Sequence, residues 1–115
     1  MKYEILSLNS MSESLDGEEV LIKEILKSFL NRAPKLLLTI EKSIKNNNYV
    51  ELESASHILK GVISNFSEDV AVEVAHTLEN FGNAKIIGES EIKFLELKKL
   101  MQILSKEIEH YMGEK

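Results

Sequence analysis

The chain has 115 residues, no cysteine, and a net charge of −5 from 14 basic and 19 acidic side chains. A chain of this length can bury a sizeable core as one domain, and the lack of cysteine excludes disulfides and thiol chemistry. The excess of acidic residues argues against a nucleic-acid partner, and no apolar run reaches the roughly 20 residues of a membrane span. We therefore expect a cytoplasmic protein that binds neither nucleic acid nor a membrane.

The first half of the chain is predicted to contain an N-terminal arm and a long helical segment. Residues 1–15 are weakly periodic and are predicted to form an irregular arm or a short helix. Residues 16–46 repeat apolar side chains at helical spacing, with Asp16 or Gly17 in position to cap the start. Pro34 interrupts this pattern, so the segment is either one kinked helix or two helices.

Three further helices are predicted after the asparagine run at 46–48, because asparagine favours turns. They cover residues 49–66, 69–82 and 89–111, and Gly82 ends the second of them. Short connections between amphipathic helices indicate antiparallel neighbours. We therefore predict an all-α fold over residues 1–115, an antiparallel up-down four-helix bundle with an extra N-terminal segment.

The helix over 49–66 contains the most informative motif, Ala-Ser-His-Ile-Leu-Lys-Gly at residues 55–61. Its apolar stripe is formed by Leu52, Ala55, Leu59, Val62 and Phe66. At about 100° per residue, His57 points away from this stripe, and Lys60 and Gly61 share its side. A glycine inside a helix costs about 1 kcal/mol relative to alanine. Close approach of another molecule best explains Gly61, and we predict an exposed, reactive histidine.

This motif, followed by Asn65-Phe66 and by Ala-His-Thr-Leu-Glu at residues 75–79, resembles the phosphorylation motif of histidine-containing phosphotransfer (HPt) domains. It is most similar to those associated with hybrid sensor histidine kinases, and the resemblance covers about residues 17–112. The resemblance implies that His57 accepts a phosphoryl group from a receiver-domain aspartate and passes it to another receiver. The chain would be a phosphocarrier without ATP-dependent kinase activity of its own.

The resemblance also implies roles for the neighbours of His57. Lys60 would stabilise the phosphoryl oxygens, Gly61 would give steric access, and Glu79 would orient the imidazole. Receiver domains, including those of hybrid histidine kinases, would dock on a patch formed by Ser54, Ile58, Lys60, Gly61, Ile63 and Ser64. We expect a monomer with no cofactor or metal of its own, and with Mg²⁺ on the receiver partner.

Several alternatives remain open at the level of sequence. Glu79 can equally face solvent near Lys85, His76 is interpreted as a bystander, and His110 is assigned no chemistry. The histidines lack the spacing of metal ligands. A helical adaptor that binds a receiver or kinase domain without carrying phosphate is the alternative function. Met1 favours a separate gene product over the C-terminal piece of a hybrid kinase.

Overall fold

The computed structural model describes residues 3–14, 18–67 and 70–113, and within these ranges all regular structure is helical. The helices are α1 (Leu8–Ser14), α2 (Glu19–Lys45), α3 (Tyr49–Ile63), α4 (Val70–Ala84) and α5 (Ser90–Gly113). Helices α2 to α5 pack in a ring, with contacts between α2 and α3, α3 and α4, α4 and α5, and α5 and α2. The predicted all-α bundle is confirmed, and α3 and α4 share its most extensive contact.

Helix α2 is one continuous element of 27 residues, with Pro34 inside it. Proline lacks the N–H that would donate to the Leu30 carbonyl. Because the Pro34 ring is exposed, the helix continues past it without disturbing the core. The predicted caps Asp16 and Gly17 lie outside the described residues. The N-cap position is occupied by Glu18, in extended conformation and without a side-chain cap bond.

Helix α3 begins where the asparagine run predicts, because Asn48 caps it. The Asn48 side chain accepts a hydrogen bond from the Glu51 N–H at 3.2 Å and donates one to the Glu51 carboxylate at 3.0 Å. The predicted end at residue 66 is wrong, since the helix stops at Ile63. Phe66 turns into the core and meets Phe29 edge to face, with ring centroids 5.0 Å apart.

Helix α4 extends past Gly82, so the prediction that Gly82 ends it is wrong. The ending uses Lys85 in left-handed conformation (φ 57°), with the Lys85 N–H bonded to the Gly82 carbonyl and the Ile86 N–H to the Phe81 carbonyl. Gly82 itself is buried: a Cβ there would lie 2.5 Å from the Glu53 nitrogen on α3. Glycine therefore serves close packing of α3 and α4.

The N-terminal segment is irregular up to the short helix α1 and closes over one end of the bundle. The backbone N–H groups of Glu4, Ile5 and Leu6 donate to the buried carboxylate of Glu107 on α5, at 2.5 to 2.9 Å. The Ser7 N–H donates to the Phe66 carbonyl at 2.8 Å. These bonds tie residues 4–7 to both α5 and the turn that follows α3.

The core fills the space between the four long helices and the N-terminal segment. Its largest fully buried side chains are Met11, Leu26, Phe29, Ile40, Leu52, Leu59, Ile63, Phe66, Leu78, Leu97, Met101 and Leu104. Among the described residues, no helix is long and apolar enough to cross a membrane.

Candidate functional site

His57 stands on the solvent side of α3, with 65% of its side chain exposed. The buried residues of the same helix follow helical spacing and are Leu52, Ala55, Ser56, Leu59 and Ile63. The predicted orientation of the histidine is confirmed, because the burial of this stripe forces the opposite face outward.

Glu79 on α4 reaches across to His57, and its Oε2 lies 2.8 Å from the imidazole Nδ1. The approach depends on the close packing of the two helices. Gly82 lies one turn after Glu79 and meets Glu53, which lies one turn before His57. The structure therefore places Glu79 at the histidine and not in solvent near Lys85.

Lys60 completes a three-residue cluster, with its Nζ 2.6 Å from Oε1 of Glu79. One carboxylate thus bridges the imidazole and the ammonium group, one oxygen to each. Partial burial of Glu79 raises its pKa, but the hydrogen bonds and positive charges of Lys60 and His57 outweigh this and lower the pKa below its ordinary value of 4.5. Glu79 is accordingly an anion at neutral pH.

His76 also belongs to this cluster, and its interpretation as a bystander is wrong with respect to position. Its Nδ1 lies 3.5 Å from Oε1 of Glu79 and 3.4 Å from Nζ of Lys60, and 54% of its side chain is exposed. The sequence contained one indication of this position: His76 precedes Glu79 by three residues, which puts both side chains on one face of α4. Its contact with Lys60 depends on how α3 and α4 pack.

Gly61 lies in the last turn of α3, close to the end of the helix. A Cβ at this position would have no atom within 4 Å among the described residues, apart from its chain neighbours and the backbone of its own helix. Ser64 closes the helix and donates its hydroxyl to the Gly61 carbonyl at 2.7 Å. Unlike Gly82, Gly61 is not required for packing within the chain.

Most of the predicted docking residues lie at the surface. Ser54, Ile58, Gly61 and Ser64 are exposed, and Lys60 is partly exposed. Ile58 exposes 40% of its surface. Ile63 is fully buried, so its prediction as a docking residue is wrong. It follows Leu59 by four positions, which is about 40° around the helix, and therefore continues the buried stripe.

The cluster gives the imidazole a defined chemical state. A carboxylate can only accept at Nδ1, so Nδ1 carries the proton in the neutral ring and the lone pair lies on Nε2. Nε2 can then act as a nucleophile, and a positive charge on the ring would be stabilised by Glu79. Lys60 holds a second positive charge one helical turn from the histidine.

The surroundings favour a macromolecular partner for this histidine. A groove of about 470 Å³ is present between α2 and α5, lined by residues such as Ala33, Leu37 and Met101, and His57 does not border it. Within the described part of the chain, no three His, Cys, Asp or Glu side chains converge as metal ligands do. His57 stands on an open helical surface that a folded domain can approach.

Comparisons with known proteins agree with the architecture. Residues 24–107 match the family model described as the Hpt domain. The fold is similar to that of histidine-containing phosphotransfer protein B (HptB) from Pseudomonas aeruginosa PAO1, with a TM-score of 0.89, 12% identity and 99% of each chain covered. The HPT domain of the Hpt sensor hybrid histidine kinase from Shewanella gives a TM-score of 0.84 and 16% identity, covering 96% of this chain and 95% of that one. No curated protein gives a significant match.

Proposed function

This chain belongs to the Hpt domain family, and we propose that it is a phosphorelay intermediate that takes a phosphoryl group from a receiver-domain aspartate onto His57 and passes it to another receiver aspartate. Members of the family are phosphocarriers in two-component signalling and partner with receiver domains. The observation that carries the proposal for this chain is the 2.8 Å contact between Nδ1 of the exposed His57 and Glu79.

In the proposed transfer, the Nε2 lone pair of His57 attacks the phosphorus of the aspartyl phosphate. The N–P bond forms, the P–O bond to the aspartate breaks, and the aspartate leaves as a carboxylate. The imidazole keeps its proton on Nδ1 and becomes cationic, and the anionic Glu79 stabilises that charge. The reverse sequence delivers the phosphoryl group to the next receiver.

Two other residues support this step. Lys60 supplies a positive charge for the phosphoryl oxygens, and Gly61 leaves open the space through which the donor approaches Nε2. Mg²⁺ on the receiver would provide the remaining charge stabilisation. We further propose that the chain acts as a monomer in the cytoplasm, and that its receivers include those of hybrid histidine kinases.

The proposal is tested by offering the chain a panel of Mg²⁺-loaded receivers phosphorylated on aspartate. We expect acid-labile label on the wild type and none on His57→Gln, because the glutamine amide has no nucleophilic nitrogen. His76→Gln is the matched control, since His76 is also exposed and contacts Glu79 but is not the proposed acceptor. The His76→Gln variant should still take up label.

Two outcomes would contradict the proposal. Label on His57→Gln would mean that another residue is the acceptor. If a folded wild type binds a receiver but takes label from none of the panel, the alternative function, an adaptor that carries no phosphate, is correct.

A further inference from the structure

The exposed surface of the bundle divides sharply in charge between its two halves. On α2 and α5 the exposed charged residues are Glu19, Glu24, Lys27, Arg32, Lys35, Lys42, Lys45, Glu91, Glu96, Lys98, Lys99, Lys106 and Glu109. On the described helices α3 and α4 they are Glu51 and Glu73 alone. Few of the fully exposed positions on α3 and α4 are therefore charged, while Glu53, Lys60 and Glu79 are partly exposed and Lys85 is exposed just after α4.

The outermost line of α3 has no charged residue over its length. Counting about 100° per residue, the positions most opposed to the buried stripe are Val50, Ser54, His57 and Gly61, and all are exposed. We call these four residues, with Ile58 beside them, the α3 ridge. Glu51 lies to one side of the α3 ridge, where its carboxylate accepts a hydrogen bond from the capping Asn48.

Val50 is the most exposed apolar residue of the α3 ridge, at 77%. It lies in the first turn of α3, and nothing in the cap at Asn48 requires an apolar side chain there. Lysine, glutamate or glutamine would favour the helix more than valine does. Exposed apolar residues also occur elsewhere on the chain, including Ile92 on α5, and what distinguishes Val50 is its place on the uncharged α3 ridge that contains His57.

Val50 is within reach of a partner that is centred on His57. The two residues are seven positions apart, which is about 10 Å along the helix. A standard interface covers roughly 800 Å² on each partner, and a circular patch of that area has a radius of about 16 Å. A receiver that reaches Nε2 of His57 can therefore cover the whole α3 ridge.

From this continuity we infer that the receiver domain that exchanges phosphoryl groups with His57 lies along the α3 ridge toward its N-terminal end, and that Val50 is a specificity-determining contact for an uncharged, apolar surface on that receiver. The inference rests on the proposed function and names the part of the surface that selects the partner.

The test introduces a charge of either sign at Val50. In Val50→Lys and Val50→Glu, kcat/KM for phosphotransfer from a Mg²⁺-loaded, aspartyl-phosphorylated receiver should fall at least about tenfold, because an unpaired charge would be desolvated in the complex. Ile92→Lys and Ile92→Glu are the matched controls, since Ile92 is 68% exposed in the first turn of α5. The controls should transfer at the wild-type rate.

A second readout separates docking from chemistry. Phosphoramidate phosphorylates the imidazole directly, forming the N–P bond as its own P–N bond breaks and ammonia leaves, and it needs no docking surface. Both Val50 variants should react with phosphoramidate as the wild type does. A slower reaction would mean that the substitutions disturb the site itself, which contradicts the inference.

Other outcomes have distinct meanings. Wild-type kcat/KM in both Val50 variants overturns the inference and leaves the proposed function standing. A loss with one sign of charge only means that the receiver is recognised through charge, which also overturns it. A wild type that takes label from no receiver removes the proposed function itself.

Discussion

At the scale of single residues, the site is organised by one carboxylate that serves two neighbours. Oε2 of Glu79 contacts His57 and Oε1 contacts Lys60, so this carboxylate fixes the imidazole proton on Nδ1 and holds the lysine beside the histidine. His57 and Lys60 could be placed together from the sequence because they share a helix. The position of Glu79 depends on the packing of α3 against α4, and the sequence alone left it open.

The same carboxylate predicts how stability depends on pH. Because the folded-state pKa of Glu79 is lowered from 4.5, its stabilising contribution is present above pH 4.5 and is lost as the pH falls through the folded-state pKa. Urea unfolding should show Glu79→Gln less stable than the wild type at about pH 6, with the difference shrinking toward about pH 3.

Glu24→Gln is the control for this series, since Glu24 is an exposed carboxylate beyond the first turn of α2. Its free energy of unfolding should follow that of the wild type across the range. A constant gap between Glu79→Gln and the wild type at every pH would show that the carboxylate is not stabilised by its partners.

At the scale of helices, the sequence predicts which segments are helical and which face of each is buried. It predicts less well where each helix ends and which residues it contacts on other helices. The hydrophobic period located α3, and the exposure of His57 followed from it. The same period would have placed Ile63 in the core, since it follows Leu59 by four residues. The predicted ends of α3 and α4 were wrong because the positions of Phe66 and Gly82 depend on contacts with neighbouring helices. The hydrophobic period of a single helix carries no information about such contacts.

The two glycines of α3 and α4 provide a test at this scale. Gly82→Ala should lower the free energy of unfolding by about 1–3 kcal/mol, because its Cβ would collide with the α3 backbone. Gly61→Ala should raise it by up to about 1 kcal/mol, since the new methyl group meets open space in a helical turn. Chemical denaturation measures both. Equal effects of the two substitutions would contradict the assignment of Gly82 to close packing.

At the scale of the whole molecule, the bundle has one side that carries the cluster around His57 and another that carries most of its exposed charged residues. The all-α bundle followed from helix number and short connections. The attachment of the N-terminal segment could not be predicted, because the carboxylate that binds it is about a hundred positions away in the sequence. A glutamate in a helix near the end of a chain ordinarily indicates solvent exposure.

The N-terminal attachment gives a prediction at the same scale. In Glu107→Gln, one acceptor oxygen becomes an N–H₂ group that faces backbone donors, so the free energy of unfolding should fall by about 1–3 kcal/mol. Hydrogen exchange at the amides of residues 4–6 should accelerate more than exchange in α3. The exposed neighbour Glu109 is the control, and Glu109→Gln should change neither quantity.

The bonds from Glu107 make the two ends of this chain depend on each other. A single side chain on the last helix holds the main chain of residues 4–6, and the next residue, Ser7, is bonded to the turn that ends α3. Shortening the chain from its C-terminus past residue 107 would therefore release its beginning, although every residue of that beginning would still be present. Ile5 and Leu6 would then lose the anchor that keeps them over the core. During synthesis, residues 4–6 can therefore reach their folded position only after Glu107 has been added to the chain.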